Sequence, residues 1–239
     1  MEILNHKTSM QAAQVRTKKR VSDHGEVLTG RREVNAMLDL VKQETERIDS
    51  RFLEPACGDG NFLAVILERK LAVVEKRYGK SQLDFERYAV LAVSSIYGID
   101  ILPDNVCVCR CRLFEIFDAN YTRLFKGASK EACREAVRFI LRRNIIWGDA
   151  LTLNTVGEKP GHIVFSEWSP VNGSMLKRRD FTFSELLRHE GAMQAPLFPG
   201  LDSEEQLPLF SDLGEHVFIP TPVREYPPVH FMEIARVGE

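Results

Sequence analysis

Short apolar runs alternate with longer amphipathic stretches over the first two-thirds of the chain. The run at Phe52-Leu53 is followed by a turn with two glycines and then by a helical pattern from about Leu63 to Tyr78. Two more apolar runs, residues 91–101 and 144–151, each contain a glycine and an aspartate near their carboxyl ends. Each run is predicted to be a buried strand. The pattern predicts an α/β fold with a doubly wound, mostly parallel sheet.

The two glycines of the first turn, Gly58 and Gly60, indicate a place where a ligand can touch the backbone. Neither has a Cβ, so the turn can adopt positive φ and approach a ligand closely. The helix that begins at about Asn61 would direct its free N–H groups at the same ligand. A glycine turn alone is weak evidence, because most such turns bind nothing.

Carboxylates at the predicted strand ends strengthen the case. Asp100 suits a ribose diol, because a carboxylate accepts two hydroxyl protons and ligands of doubly wound sheets bind at the carboxyl ends of strands. Ile101 beside it would form an apolar wall. Asp149 is either a second ligand or the cap of a turn. About 40 residues separate Gly58 from Asp100, against roughly 20 in a minimal nucleotide-binding unit, so residues 80–87 are predicted to be an insertion.

The string Glu54-Pro55-Ala56-Cys57-Gly58-Asp59-Gly60-Asn61-Phe62-Leu63 resembles motif I of S-adenosylmethionine-dependent DNA adenine-N6 methyltransferases. Gly148-Asp149-Ala150-Leu151 is similar to a later motif of that family, and residues 25–30 resemble motif X, although Thr29 is also a plausible helix N-cap. The motif order is that of the gamma arrangement, and the resemblance covers roughly residues 18–170. It implies S-adenosyl-L-methionine as the cofactor, held by Thr29, Glu54, Ala56, Gly58, Gly60, Asp100, Ile101, Asp149 and Ala150.

The resemblance also implies a catalytic loop of the form Asn/Asp/Ser-Pro-Pro-Tyr/Phe, which holds and stacks a flipped adenine. This chain has Ser169-Pro170-Val171-Asn172 there, so Ser169 and Pro170 are the predicted catalytic positions. The fourth position lacks an aromatic residue. Trp168 is the predicted stacking ring, with the alternative that it is an ordinary core aromatic.

The predicted function is a DNA adenine-N6 methyltransferase, or a methyltransferase subunit, of a restriction-modification or phage-defence system. Its partners would be double-stranded DNA and a specificity subunit or second methyltransferase subunit. With 239 residues, the chain is short for a complete enzyme with a DNA-reading domain. Two alternatives are therefore a non-catalytic cofactor-binding subunit and an adaptor tethered to the replicative sliding clamp.

Composition and charge change this picture little. The net charge is −2 and 44% of residues are hydrophobic, with no apolar run of membrane-spanning length and a polar segment over residues 1–20. A cytoplasmic protein without a membrane partner is therefore expected. Cys107, Cys109 and Cys111 alternate, so they cannot converge on one metal if they lie on a helix. The run Lys177 to Arg179 is either a phosphate contact or a solvated face.

The last third carries a separate signal. Residues 194–198 and 206–210 are two copies of Gln-x-Pro-Leu-Phe within a Pro-rich, acidic stretch, and each resembles the peptide that binds the bacterial sliding clamp. The alternative is that both Leu-Phe pairs pack on the protein's own sheet. The predicted divisions are a polar segment at 1–20, a cofactor-binding domain at 21–190, a linker at 191–215 and a C-terminal segment at 216–239.

Overall fold

A computed structural model describes Arg20, residues 29–187 and residues 220–237. Its first sheet has four strands in the order β1, β2, β3, β4. The first three are parallel and the short fourth is antiparallel to β3. The prediction of an α/β protein with a mostly parallel sheet is confirmed. The strands are β1 (Phe52–Glu54), β2 (Ile96–Asp100), β3 (Ile145–Asp149) and β4 (Asn154–Thr155).

Helices connect the parallel strands. Most of the segment that was predicted to be an insertion, residues 80–87, lies in a helix that begins after Ser81, where the Ser81 hydroxyl accepts the N–H of Asp84. No helix of the described ranges is long and apolar enough to cross a membrane. The helices are α1 (Arg31–Asp39), α2 (Lys42–Thr45), α3 (Asn61–Tyr78), α4 (Gln82–Ser94), α5 (Pro103–Phe125) and α6 (Glu131–Asn144).

The strand order runs in one direction, from β1 to β3. Right-handed crossovers in one direction place their helices on the same face of a sheet. In keeping with this, Ile96 and the buried sides of α3 to α6 form one hydrophobic cluster, while Tyr97 and Ile99, on the opposite face of β2, belong to another. The reversal of strand order that a doubly wound sheet requires is not found within the described ranges, and β1 is the edge strand there.

A second, antiparallel sheet covers that opposite face. Ile163, Phe165 and Phe183 pack against Tyr97 and Ile99. Strands β5 and β6 pair along their whole length, and two short strands from the C-terminal segment pair with β6. Its strands are β5 (Val164–Pro170), β6 (Met175–Thr182), β7 (Arg224–Glu225) and β8 (Val229–His230); residues 183–187 are helical, and a 3-10 turn (Phe231–Glu233) leads into α7 (Ile234–Val237).

Lys70 of α3 fixes the amino ends of β1 and β2. Its ammonium is fully buried and donates to the carbonyls of Ile48 (3.1 Å) and Ser50 and to the Ser95 hydroxyl (2.7 Å). Burial lowers the pKa of Lys70 to about 7. The folded state therefore binds fewer protons than the unfolded chain between pH 7 and the usual lysine pKa, so stability rises with pH across that window.

Replacing Lys70 by methionine should destabilise the protein by about 2 kcal/mol, because buried acceptors lose their donor. The rise of stability above pH 7 should vanish with it. Urea unfolding at pH 7 and pH 9.5 measures both effects. Lys76→Met, at an exposed position of the same helix, is the matched control, and equal behaviour of the two variants would contradict this role for Lys70.

Candidate functional site

The glycine turn has the geometry that the sequence predicts. Gly58 and Gly60 have φ values of +54° and +87°, in the left-handed region that glycine tolerates. Gly60 is the N-cap residue of α3 and makes no side-chain cap. A Cβ at Gly60 would lie 2.8 Å from Cys109 Sγ of α5. The turn is therefore tightly packed from behind. The N–H groups of its two glycines are bonded within the protein, that of Gly60 to the Cys57 carbonyl (2.8 Å) and that of Gly58 to Asp100.

Asp100 joins this turn to the end of β2. Its Oδ2 accepts the Gly58 N–H (2.8 Å), and its Oδ1 accepts the N–H of Leu102 (2.8 Å) and the amide of Asn105 (3.3 Å). Three donors offset the cost of burying this carboxylate. Oδ2 keeps a lone pair for one further donor.

Glu54 is a second carboxylate at the same edge, at the end of β1. Burial raises the pKa of Glu54, and a backbone hydrogen bond from Ala56 partly opposes that shift. No ion-pair partner for it occurs among the residues that the structure describes. A desolvated carboxylate without a cation nearby favours a positively charged ligand.

Apolar side chains are exposed beside the two carboxylates. Ile101 is 51% exposed and Trp147 of β3 is 37% exposed, and the Trp147 indole donates to the Ile101 carbonyl (3.0 Å). Together they offer an apolar surface for a flat ring. Trp147 was not predicted from the sequence, where its only signal is its alternation with Ile146 in a short strand that ends at this edge.

Asp149 caps the turn after β3. Its Oδ1 accepts the Leu151 N–H (2.9 Å), and its Oδ2 accepts the Thr152 hydroxyl (3.0 Å). Asp149 therefore has the turn-capping role that the sequence left open as one of two alternatives. Each oxygen keeps one lone pair, so ligand contact is compatible with the cap. Ala150 packs against the cluster around Tyr97 and Ile99.

Thr29 lies next to the glycine turn through its backbone, since the Asn61 amide donates to the Thr29 carbonyl (3.2 Å). Arg112 of α5 braces the same region, donating to Asn61 Oδ1 (2.7 Å) and lying 3.4 Å from Asp59 Oδ1. The rest of the predicted motif X, residues 25–28, lies outside the described residues. The structure therefore brings the nine predicted cofactor residues to one edge of the sheet.

The predicted catalytic residues lie at the other end of the sheet. The Trp168 indole donates to Asn144 Oδ1 (3.2 Å), and the Asn144 amide donates to the carbonyls of Ser94 (3.1 Å) and Ile96 (3.2 Å), at the start of β2. Asp100 ends that strand, roughly 13 Å away at the usual rise per residue. Ser169 and Pro170 follow Trp168 in β5, and Pro170 lies beside Arg87, Tyr88 and Leu91 of α4.

Trp168 is a core aromatic, which is the alternative that the sequence left open. It is 5% exposed and packs edge-to-face on Phe139, with ring centroids 6.1 Å apart. The Arg178 guanidinium lies 5.8 Å from its ring. No face of this indole is open to a flipped base.

The basic run on β6 is engaged by acidic residues. Lys177 pairs with Glu225 (2.8 Å) and Arg179 with Glu167 (2.7 Å). Arg178 is buried and pairs with Asp180 (2.7 Å). These pairings make the run a structural element of the second sheet, and the phosphate contact considered above finds no support in them.

The cysteines divide by exposure. Cys107 and Cys111 are exposed on α5, whereas Cys109 is buried between them, as helical geometry predicts. Burial raises the pKa of Cys133, and a hydrogen bond with Cys109 together with burial raises the pKa of Cys57. No group of three or more metal-ligating side chains occurs in the described part of the chain.

Comparison with family models, curated proteins and solved structures finds no match to this chain. The two Gln-x-Pro-Leu-Phe sequences lie outside the described residues.

Gly60→Ala should destabilise the protein by about 2 kcal/mol or more, because a left-handed backbone costs about 1–2 kcal/mol for alanine and the new Cβ meets Cys109. Gly127→Ala is the control, since a Cβ there meets nothing within 4 Å. Denaturant unfolding of the three proteins measures the difference. Equal midpoints would show that the turn tolerates a side chain.

Proposed function

We propose that the chain binds S-adenosylmethionine at the carboxyl edge of β1 to β3 and is the cofactor-binding subunit of a DNA adenine-N6 methyltransferase. The observation that carries this proposal is the left-handed turn at Gly58 and Gly60 beside Glu54, a partly buried carboxylate without a cationic partner in the described ranges. The motif I resemblance supplies the identity of the ligand. A restriction-modification or phage-defence system in the cytoplasm is the proposed setting.

The charges of the edge match those of the methionine half of the cofactor. An ammonium group would bind Glu54, which gains a partner for its desolvated charge. A carboxylate would bind the free N–H groups at the amino end of α3, where the helix dipole favours an anion. Opposite charges are thus recognised by groups on opposite sides of one turn.

The nucleoside half finds complementary groups on β2 and β3. The remaining lone pair of Asp100 Oδ2 can accept a ribose hydroxyl, and the exposed surfaces of Ile101 and Trp147 can contact the adenine ring. Asp149 can accept from the adenine amino group while it caps its turn. The sequence predicts that Asp100 accepts two ribose hydroxyls. In this arrangement it accepts only one, because the Gly58 N–H already donates to Oδ2.

Methyl transfer to adenine depends mainly on positioning and on an acceptor for the amino group. S-adenosylmethionine supplies an electrophilic methyl group on a sulfonium. The residues of this chain bind and orient it, but Ser169 and Pro170 lie at the opposite end of β2. We therefore propose that a second chain supplies the residues that hold the target base of double-stranded DNA.

A non-catalytic role is the second candidate, and the same separation of Ser169 from Gly58 favours it. In that case the chain binds the cofactor and regulates a partner without taking part in methyl transfer. The two candidate functions share the cofactor site. They differ in whether the cofactor bound by this chain takes part in methyl transfer with a partner or only regulates that partner.

Glu54→Gln should weaken S-adenosylmethionine binding at least tenfold, because a charge-assisted hydrogen bond is lost. The apo protein should not lose stability at pH 7. The raised pKa of Glu54 means that the folded state retains a proton that the unfolded chain releases, so wild-type stability falls as pH rises through that pKa, and glutamine removes the fall. Isothermal titration and thermal melting measure the two effects.

The control is Glu158→Gln, at an exposed position of the loop after β4, which should change neither quantity. Unchanged affinity in Glu54→Gln would overturn the assignment of the ammonium site. Weaker binding together with a lower melting temperature would mean that Glu54 has a structural role instead.

The purified chain should bind the cofactor but form no N6-methyladenine on DNA. Methylation should appear only when a co-purifying chain is added, and Ser169→Ala should leave that activity unchanged. Transfer of a radiolabelled methyl group to DNA of mixed sequence measures it. Methylation by the chain alone, abolished in Ser169→Ala, would contradict the two-chain proposal, and cofactor binding without methylation by any combination would favour the regulatory candidate.

A further inference from the structure

The outer edge of β1 is open among the described residues. The Phe52 N–H bonds to the Ser95 carbonyl on the β2 side (3.0 Å). Backbone groups alternate in direction along a parallel ladder, so Leu53 directs its N–H and C=O away from β2. Its side chain is 41% exposed. This edge can pair with one further extended segment.

A cavity of about 430 Å³ lies beside this edge. Phe52 and Leu53 form one wall, and the aromatic rings of Tyr97, Phe165 and Phe181 form much of the rest. Its volume is within the range of pockets that hold several apolar groups. Such a cavity is favoured to take large apolar side chains, since burying them removes apolar surface from water.

The mouth of the cavity is basic. Arg51 and Arg179 both pair with the single carboxylate of Glu167, which leaves one positive charge in excess. Arg179 Nε is buried and has no hydrogen-bond partner in the described part of the chain. An occupant with acidic residues next to its apolar side chains would complement this mouth.

The chain itself carries such a sequence between two residues of the cavity wall. Leu187 and Pro220 both line the cavity, so the intervening residues 188–219 begin and end there. They include Glu204-Glu205-Gln206-Leu207-Pro208-Leu209-Phe210, with two acids immediately before the second copy of Gln-x-Pro-Leu-Phe. Phe210 lies ten positions before Pro220, and an extended chain of that length reaches about 33 Å.

We propose that this cavity is the docking site for residues 204–210 of the same chain. Leu209 and Phe210 enter the aromatic cavity, and the acids at 204 and 205 lie near Arg51 and Arg179. Proline at 208 lacks an N–H, as suits a segment at a sheet edge. The cavity is thus a peptide-binding site specific for an acidic Leu-Phe sequence, independent of the proposed cofactor site.

The test uses the full chain with Leu209→Ala and Phe210→Ala combined. This variant should melt about 5–10 °C below wild type, because large apolar groups leave a cavity. The matched control combines Leu197→Ala and Phe198→Ala in the first copy of Gln-x-Pro-Leu-Phe. Its melting temperature should equal that of wild type. A synthetic peptide of the sequence EEQLPLF should bind the first variant and restore its melting temperature, and should bind wild type at least tenfold more weakly, because the tethered segment competes at high effective concentration.

Leu53→Arg in the first variant should abolish peptide binding. Three outcomes would overturn the proposal: unchanged melting in the first variant, a loss of stability confined to the control variant, or equal peptide affinity for wild type and variant. Unchanged melting with lost binding to a purified sliding clamp would show instead that residues 206–210 serve an external partner.

Discussion

The carboxylate of Asp100 is the group on which the arrangement of the candidate site depends. It accepts the N–H of Gly58 from one crossover and the N–H of Leu102 from the next, so it links the glycine turn after β1 to the beginning of α5. The same turn packs on Cys109 of α5. These contacts connect the glycine turn, the end of β2 and the start of α5 to one another. The three segments therefore cannot move separately, and the site is largely preorganised.

This preorganisation has a cost in binding capacity. A carboxylate that holds three protein donors has fewer lone pairs for a ligand, so Asp100 acts first as a structural residue. Specific recognition then falls more heavily on Glu54 and on the exposed side chains of Ile101 and Trp147. The site thus combines two different carboxylates. Asp100 already accepts hydrogen bonds from the protein, whereas Glu54 has no cationic partner in the described ranges.

Local signals made the glycine turn and the three parallel strands predictable. Gly58 and Gly60 mark a left-handed turn by residue type alone, and the carboxylates of Asp100 and Asp149 mark strand ends. Strand β6 was not predicted, because two of its buried positions are occupied by Arg178 and Asp180, whose pairing hides the alternation of apolar and polar residues. A charged residue is predicted to be exposed when the sequence does not show which residue forms an ion pair with it.

The position of Ser169 was beyond prediction for another reason. It depends on the direction in which β5 crosses the sheet, and that is set by long-range contacts: Trp168 with Asn144, and the Tyr97 hydroxyl with the Ser166 carbonyl (3.0 Å). A motif pattern assumes that the next strand joins the same parallel sheet. Here the strand pairs with β6 and lies across the face, so residues adjacent in the motif order are distant in space.

The two classes of cysteine make the protein selectively accessible to thiol chemistry. Cys57, Cys109 and Cys133 are buried, and the raised pKa values of Cys57 and Cys133 leave little thiolate near neutral pH. Cys107 and Cys111 are exposed one helical turn apart on α5, a spacing at which two thiols can bind one trivalent arsenic atom. Cys107 lies in the second turn of α5, which begins just after β2, so the sequence places an attachment point for a fluorophore near the carboxyl edge of the sheet.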